Sequence, residues 1–146
     1  MLRFDKVIQP QGLITFRVAY TVILDDNGLY LIQTGPGFPP PGFTAGRNVA
    51  RELSRPVIAM RTKKYMAESE EVEQGINRQG YYNFPLGKRG AFVTRSEIKS
   101  VKFTTDRYGS LVIKLKTAKG KFTLAFYAGL HNNSAVEQFM TQLTKP

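Results

Sequence analysis

The sequence predicts an α+β fold: an antiparallel β-barrel or two packed sheets of about six or seven strands, capped by a C-terminal helix, with a helical insert after the first hairpin. Three observations predict it. A hairpin signal lies near the N-terminus, a helix-rich stretch follows it, and a second hairpin feeding an amphipathic helix closes the chain. At 146 residues the chain is expected to be a single domain spanning 1–146, with the insert at about 47–76.

Phe16, Val18, Tyr20, Val22 and Leu24 alternate and so share one face of a strand. Asp25-Asp26-Asn27-Gly28 and then LYLIQ follow. Asn-Gly between apolar runs signals a type I′ turn, because both central residues need positive φ. With Asn27 and Gly28 central, Leu24 pairs with Leu31 and Ile23 with Ile32. Ile23, Tyr30 and Ile32 make the opposite face apolar as well, and such a face needs a cover. Gly and Pro from Gly35 to Phe43 exclude regular structure. The helical composition beyond predicts a short helix from Arg47 to Leu53 and, restarted by Pro56, a longer one to Gln74. This insert is the expected cover.

AFVT at 91–94 and EIKSVKF at 97–103 read as short strands, the second with a bulge where its alternation slips near Ser100. Asp106-Arg107-Tyr108-Gly109 is a turn. Leu111, Ile113 and Leu115 then alternate inward, answered by Phe122, Leu124 and Phe126. With Lys119-Gly120 as the turn, Leu115 faces Leu124 and Ile113 faces Phe126. Ser134 and Glu137 form a capping box for the last helix, and Val136, Phe139, Met140 and Leu143 make its apolar stripe.

The apolar pattern of RSEIKSVKF, SLVIKLKT, KFTLAFY and SAVEQFMTQL resembles the C-terminal half of bacterial pleckstrin-homology-like (PH-like) domains. The resemblance covers residues 95–144 and, more loosely, the hairpin at 16–33. It implies a barrel plugged by the terminal helix and a binding or assembly role. It does not carry inositide binding across, because the first hairpin turn is acidic here and the final helix has no Trp.

The net charge is +10. Residues 1–73 hold 9 Lys/Arg against 8 Asp/Glu, whereas residues 74–146 hold 12 against 3. The basic field therefore belongs to the C-terminal half and favours anionic partners. The absence of Cys excludes disulfides, thiolate metal sites and Cys nucleophiles. No apolar run is long enough for a membrane span, and the N-terminus does not read as a secretion signal, so a cytoplasmic chain is expected.

The lone histidine, His131, is the one residue any Ser-His-Asp triad could use, and no carboxylate pair has acid–base spacing. The expectation is a protein that is not an enzyme, with no cofactor and no metal. Glu68, Glu70, Glu71 and Glu73 read as surface charge or as an electrostatic dock against the basic half. Arg47, Arg51 and Arg55 are spaced as one helix face.

The candidate contact surface is basic: Lys99, Lys102, Arg107, Lys114, Lys116, Lys119 and Lys121. Two readings compete for it. Lysines protect exposed strands from edge-to-edge pairing, or they meet a partner. The expected function is a binding or assembly module of PH-like type that contacts proteins, self-association included. The alternative is a binder of nucleic acid or an acidic membrane surface.

Overall fold

The computed structural model describes residues 1–11, 15–40 and 50–144, without the side chains of 11, 15–17 and 50–58. In chain order it contains β1 (Leu2–Gln11), β2 (Thr15–Leu24), β3 (Leu29–Gly35), α1 (Ala50–Gln79), β4 (Ala91–Val93), β5 (Ile98–Thr105), β6 (Leu111–Thr117), β7 (Gly120–Phe126) and α2 (Asn133–Thr144). The fold is α+β. The strands make one seven-stranded sheet in the order β4-β3-β2-β1-β7-β6-β5, with every pairing antiparallel. The sheet is not closed, since β4 and β5 are its ends, so it is one open curled sheet and neither the expected barrel nor two packed sheets.

The central strand, β1, is missing from the sequence reading, and its geometry explains why. Its pairing with β2 shifts between Phe4 and Val7, and Lys6 within that bulge has φ 56°. Phe4 and Val7 consequently face the same core although an odd number of positions separates them. A period-two search breaks at that point. Ile8 then faces the other side of the sheet and pairs with Ala125 of β7.

One face of the sheet curls around α2. Phe4, Val18, Tyr20, Val22, Leu24, Leu29, Leu31, Ile113, Leu115, Leu124 and Phe126 meet Val136, Phe139 and Leu143 of the helix in one buried cluster. The apolar stripe of α2 therefore packs as its spacing predicts, with Met140 at the margin. The helix begins earlier than the capping box implies. Asn132 Oδ1 accepts from the backbone amides of Ser134 (2.8 Å) and Ala135 (3.3 Å), so Asn132 is the cap.

α1 covers the other face over β1–β3. Ile76 and Val72 close over Ile23, Tyr30 and Ile32, the apolar back of the first hairpin. Buried Ser69 lets the helix approach closely, and its Oγ accepts from Thr34 Oγ1 at 3.3 Å. The insert is thus the expected cover, but it is one helix: α1 passes through Pro56 without a break and ends at Gln79. A proline in a helix interior costs about 3 kcal/mol through its missing N–H and its ring clash, and burial downstream at Ile76, Val72, Met66 and Tyr65 offsets it. Arg47 lies outside the described residues, as do the side chains of Arg51 and Arg55.

Both hairpin registers differ from expectation by two residues. Leu24 pairs with Leu29 across a four-residue loop, and Leu115 pairs with Phe122 around Ala118-Lys119. In the first loop, Asp25 Oδ1 accepts from the amides of Asn27 (2.8 Å) and Gly28 (3.1 Å), which winds a longer turn than a type I′. Gly28 has φ 150°, and a Cβ there would lie 2.4 Å from the Val93 carbonyl oxygen. A shift of two preserves the faces, so the inward sets stand although the partners change. The bulge near Ser100 is present, between Ile98 and Ser100.

Ile76 anchors α1 and is 2% exposed. Ile76→Ala is expected to lower unfolding free energy by about 2–5 kcal/mol, the cost of deleting a buried Ile side chain. A urea midpoint measures it.

Candidate functional site

The β5–β7 end of the outer sheet face differs from the rest. Where β1–β3 lie under α1, only Val112 and Ala125 of β6 and β7 are buried on that side, against Phe38 and Tyr127. Beyond them the face carries Lys102 directly opposite Lys114, which faces Thr123, and Ser100 opposite Lys116, which is directly opposite Lys121. All four lysines are exposed. With strands about 4.8 Å apart and same-face residues about 7 Å apart, their stems root in a patch of roughly 10 by 7 Å. No Asp or Glu occupies an outward position of these strands, and among the described residues none of the four lysines is in an ion pair.

Like charges directly opposite each other destabilise a sheet. Lysine protection accounts for them on an edge strand. β6, however, lies between β5 and β7, and β7 between β6 and β1. Edge protection therefore covers Lys99 and Lys102 of β5 but not Lys114 or Lys116 of β6, and among the described residues β7 is registered to β1 only at Ala125, four residues beyond Lys121.

The remaining candidates fall elsewhere. Lys99 is exposed in the β5 bulge. Arg107 sits in the β5–β6 turn, 5.1 Å from the ring centroid of Tyr108, away from the lysine grid. Lys119 is turned to a structural task. Its Nζ donates to the Phe92 carbonyl at 2.6 Å and lies 5.7 Å from the Phe92 ring centroid, so it ties the β6–β7 turn to β4. The sequence had no means of seeing this, because the contact joins residues brought together only by the curl of the sheet.

A cleft of about 500 Å³ lies between β1, α1 and the start of α2, and Asp5, Lys6, Glu70 and His131 line it. His131 is half-buried against the rings of Phe4 and Phe126. Its Nε2 lies 3.3 Å from the Lys6 carbonyl oxygen. Carbonyls only accept, so Nε2 carries the proton. Burial pulls the His131 pKa below its ordinary value. Asp5 Oδ1 accepts from Thr21 Oγ1 (2.7 Å) and Arg3 Nε (3.1 Å). Lys6 Nζ reaches Glu73 at 2.8 Å and Glu70 at 3.6 Å. Glu70 and Glu73 of the acidic cluster thus make an ionic contact within the chain, but onto β1 of the N-terminal half and not onto the basic half. Burial pushes the Glu73 carboxyl above its ordinary pKa, against the lowering effect of Lys6.

Among the described residues no group of three or more His, Asp or Glu could hold a metal ion, and no helix is long and apolar enough to cross a membrane.

The cleft yields two expected outcomes. Lys6→Met leaves Glu73 buried without its cation and is expected to cost about 3 kcal/mol in unfolding free energy, read by chemical denaturation at pH 7. His131 is depressed in the fold, so its contribution is complete above the unfolded pKa and is lost as pH falls through the folded one. Glu73 acts in the opposite sense: raised in the fold, its contribution is present below its unfolded pKa and lost as pH rises through the folded one. His131→Gln is therefore expected to remove the loss of stability on mild acidification while leaving the Glu73 trend, as measured by urea midpoints across pH. No protein-family model, no curated protein and no solved structure matches this chain.

Proposed function

We propose that the chain is a non-enzymatic binding module of PH-like type, whose contact surface is the bare lysine face of β5–β7 and whose partner is an acidic protein surface. One observation carries the reading. Two like-charge pairs, Lys102–Lys114 and Lys116–Lys121, stand directly opposite each other, and the doubly paired strand β6 supplies one member of each. Edge protection does not account for them, whereas an anionic partner turns their mutual repulsion into attraction. A sheet wrapped around a C-terminal helix supports the PH-like resemblance. The non-enzymatic part is supported by the cleft, where Asp5 is held by Thr21 and Arg3, and Glu70 by Lys6.

The second reading, nucleic acid or an acidic membrane, is favoured by the same lysines. The outward positions of these strands hold no aromatic for base stacking and no large exposed apolar group for insertion into lipid. A protein partner is therefore preferred.

The chain is expected to bind poly-glutamate at about 50 mM salt and to lose most of that affinity by about 300 mM. Lys116→Glu is expected to weaken binding while stabilising the fold by about 0.2–1 kcal/mol, because it replaces a like-charge pair by an opposite-charge one. Tighter binding to mixed-sequence RNA or phosphatidylglycerol vesicles than to poly-glutamate transfers the proposal to the second reading. No binding to any of the three at low salt overturns both.

A further inference from the structure

β5 is an eight-residue strand at the end of an open sheet, and among the described residues it pairs with β6 alone. The opposite end, β4, has three residues, and the Phe92 carbonyl there is taken by Lys119. β5 is thus the long edge that presents a row of backbone donors and acceptors to another chain.

Its two sides differ chemically. On the inner side Val101 packs against the core, and Phe103, paired with fully buried Ile113, is itself 40% exposed. The outer side carries Ser100, Lys102 and Thr104, with Lys114 and Lys116 one strand further in. A segment lying along β5 would place alternate residues on these two sides. Those beside Val101 and Phe103 meet an apolar ledge. Those beside Lys102 meet cations with no acidic residue among them.

The occupant follows from this charge pattern. Two copies paired edge to edge through β5 in antiparallel sense would crowd Lys99 and Lys102 of both along one short seam, which is repulsive. An acidic segment does the reverse. We infer that β5 accepts an extended segment of a partner protein as an added strand, and that this segment alternates acidic with apolar residues. Backbone hydrogen bonds supply affinity in this mode, and the alternating side chains supply selectivity. The inference rests on the reading of the lysine face as the contact surface and specifies what lies on it.

The test uses the full chain and synthetic peptides of about ten residues, the length of an ordinary strand. The probe alternates Glu and Val. The comparators are a block peptide of the same composition, a Glu-only peptide, and two alternating peptides N-methylated at every second residue, one in each register. Fluorescence anisotropy gives affinity, and hydrogen exchange reads the β5 amides. The alternating peptide is expected to bind roughly tenfold more tightly than the block peptide and to slow exchange along β5. One methylated register is expected to lose binding and the other to retain it, because only alternate backbone groups of an added strand face its neighbour. Phe103→Ser, shown folded by its urea midpoint, is expected to weaken the alternating peptide several-fold and leave the Glu-only peptide unchanged.

Equal binding of alternating, block and Glu-only peptides, with both methylated forms retained, overturns strand addition and leaves the lysine face standing as an electrostatic surface. Loss of all peptides together with long poly-glutamate overturns both.

Discussion

Lys6 holds a left-handed backbone conformation in the middle of β1, and the Glu73 carboxylate of α1 grips its ammonium at 2.8 Å. A non-glycine residue in that conformation costs on the order of 1–2 kcal/mol. The bulge it creates lets one strand serve two surroundings. Before it β1 pairs with β2, and after it the strand also meets β7 at Ile8 and Ala125. The curl of the sheet around α2, the seat of α1 on the opposite face and the cleft at His131 all join at this point. Arg3 reinforces it, donating to Asp5, to Asn77 and to the Glu73 carbonyl. The ion pair is largely withdrawn from water, and its worth lies as much in where it places α1 as in net energy.

From that bend follows the uneven dressing of the sheet. α1 is seated over β1–β3, which buries Ile23, Tyr30 and Ile32 and removes the first hairpin as an oligomer surface. Among the described residues, the outer side of β5–β7 beyond Val112 stays exposed at Lys102, Lys114, Lys116 and Lys121. Near the hairpin tip, Tyr81 donates to Asp25 Oδ2 at 2.7 Å and stacks on Tyr82. Although burial opposes it, hydrogen bonds from Tyr81 and the loop amides hold the Asp25 carboxyl below its ordinary pKa. The acidic turn is thereby committed to holding the loop after α1. Arg95 completes the frame, donating to the Gln142 carbonyl at the end of α2 (2.8 Å), where a cation suits the helix dipole.

Much of the candidate surface was legible in the sequence. Lys114, Lys116 and Lys121 occupy the outward positions that alternation assigns them, because strand faces depend only on parity, whereas the slip near Ser100 left the face of Lys102 open. Lys119 and Arg107 were legible as charges but not as places. Lys119 bonds to a strand 27 positions earlier in the chain. The cleft was not legible. Lys6, Glu73 and His131 come from three distant segments, and nothing local marks a lysine that will adopt positive φ. The exposure of Phe103 follows from the place of β5 at the end of the sheet.

The sequence by itself determined which residues of β2, β6 and β7 face inward, where the two hairpin turns fall to within a residue, and the apolar stripe of α2. These are local: period two, period 3.6 and turn chemistry act over a few neighbouring residues. The registers lay between sequence and tertiary structure: parity tolerates a slip of two, and the loop hydrogen bonds at Asp25 and the Ala118-Lys119 turn, local but not visible as a pattern, go with the pairing observed. Tertiary structure decided that α1 would pass through Pro56, that β1 would exist as a strand, and that α1 would seat over β1–β3. Each of these depends on burial against a partner distant in the chain, and no local pattern encodes such a partner.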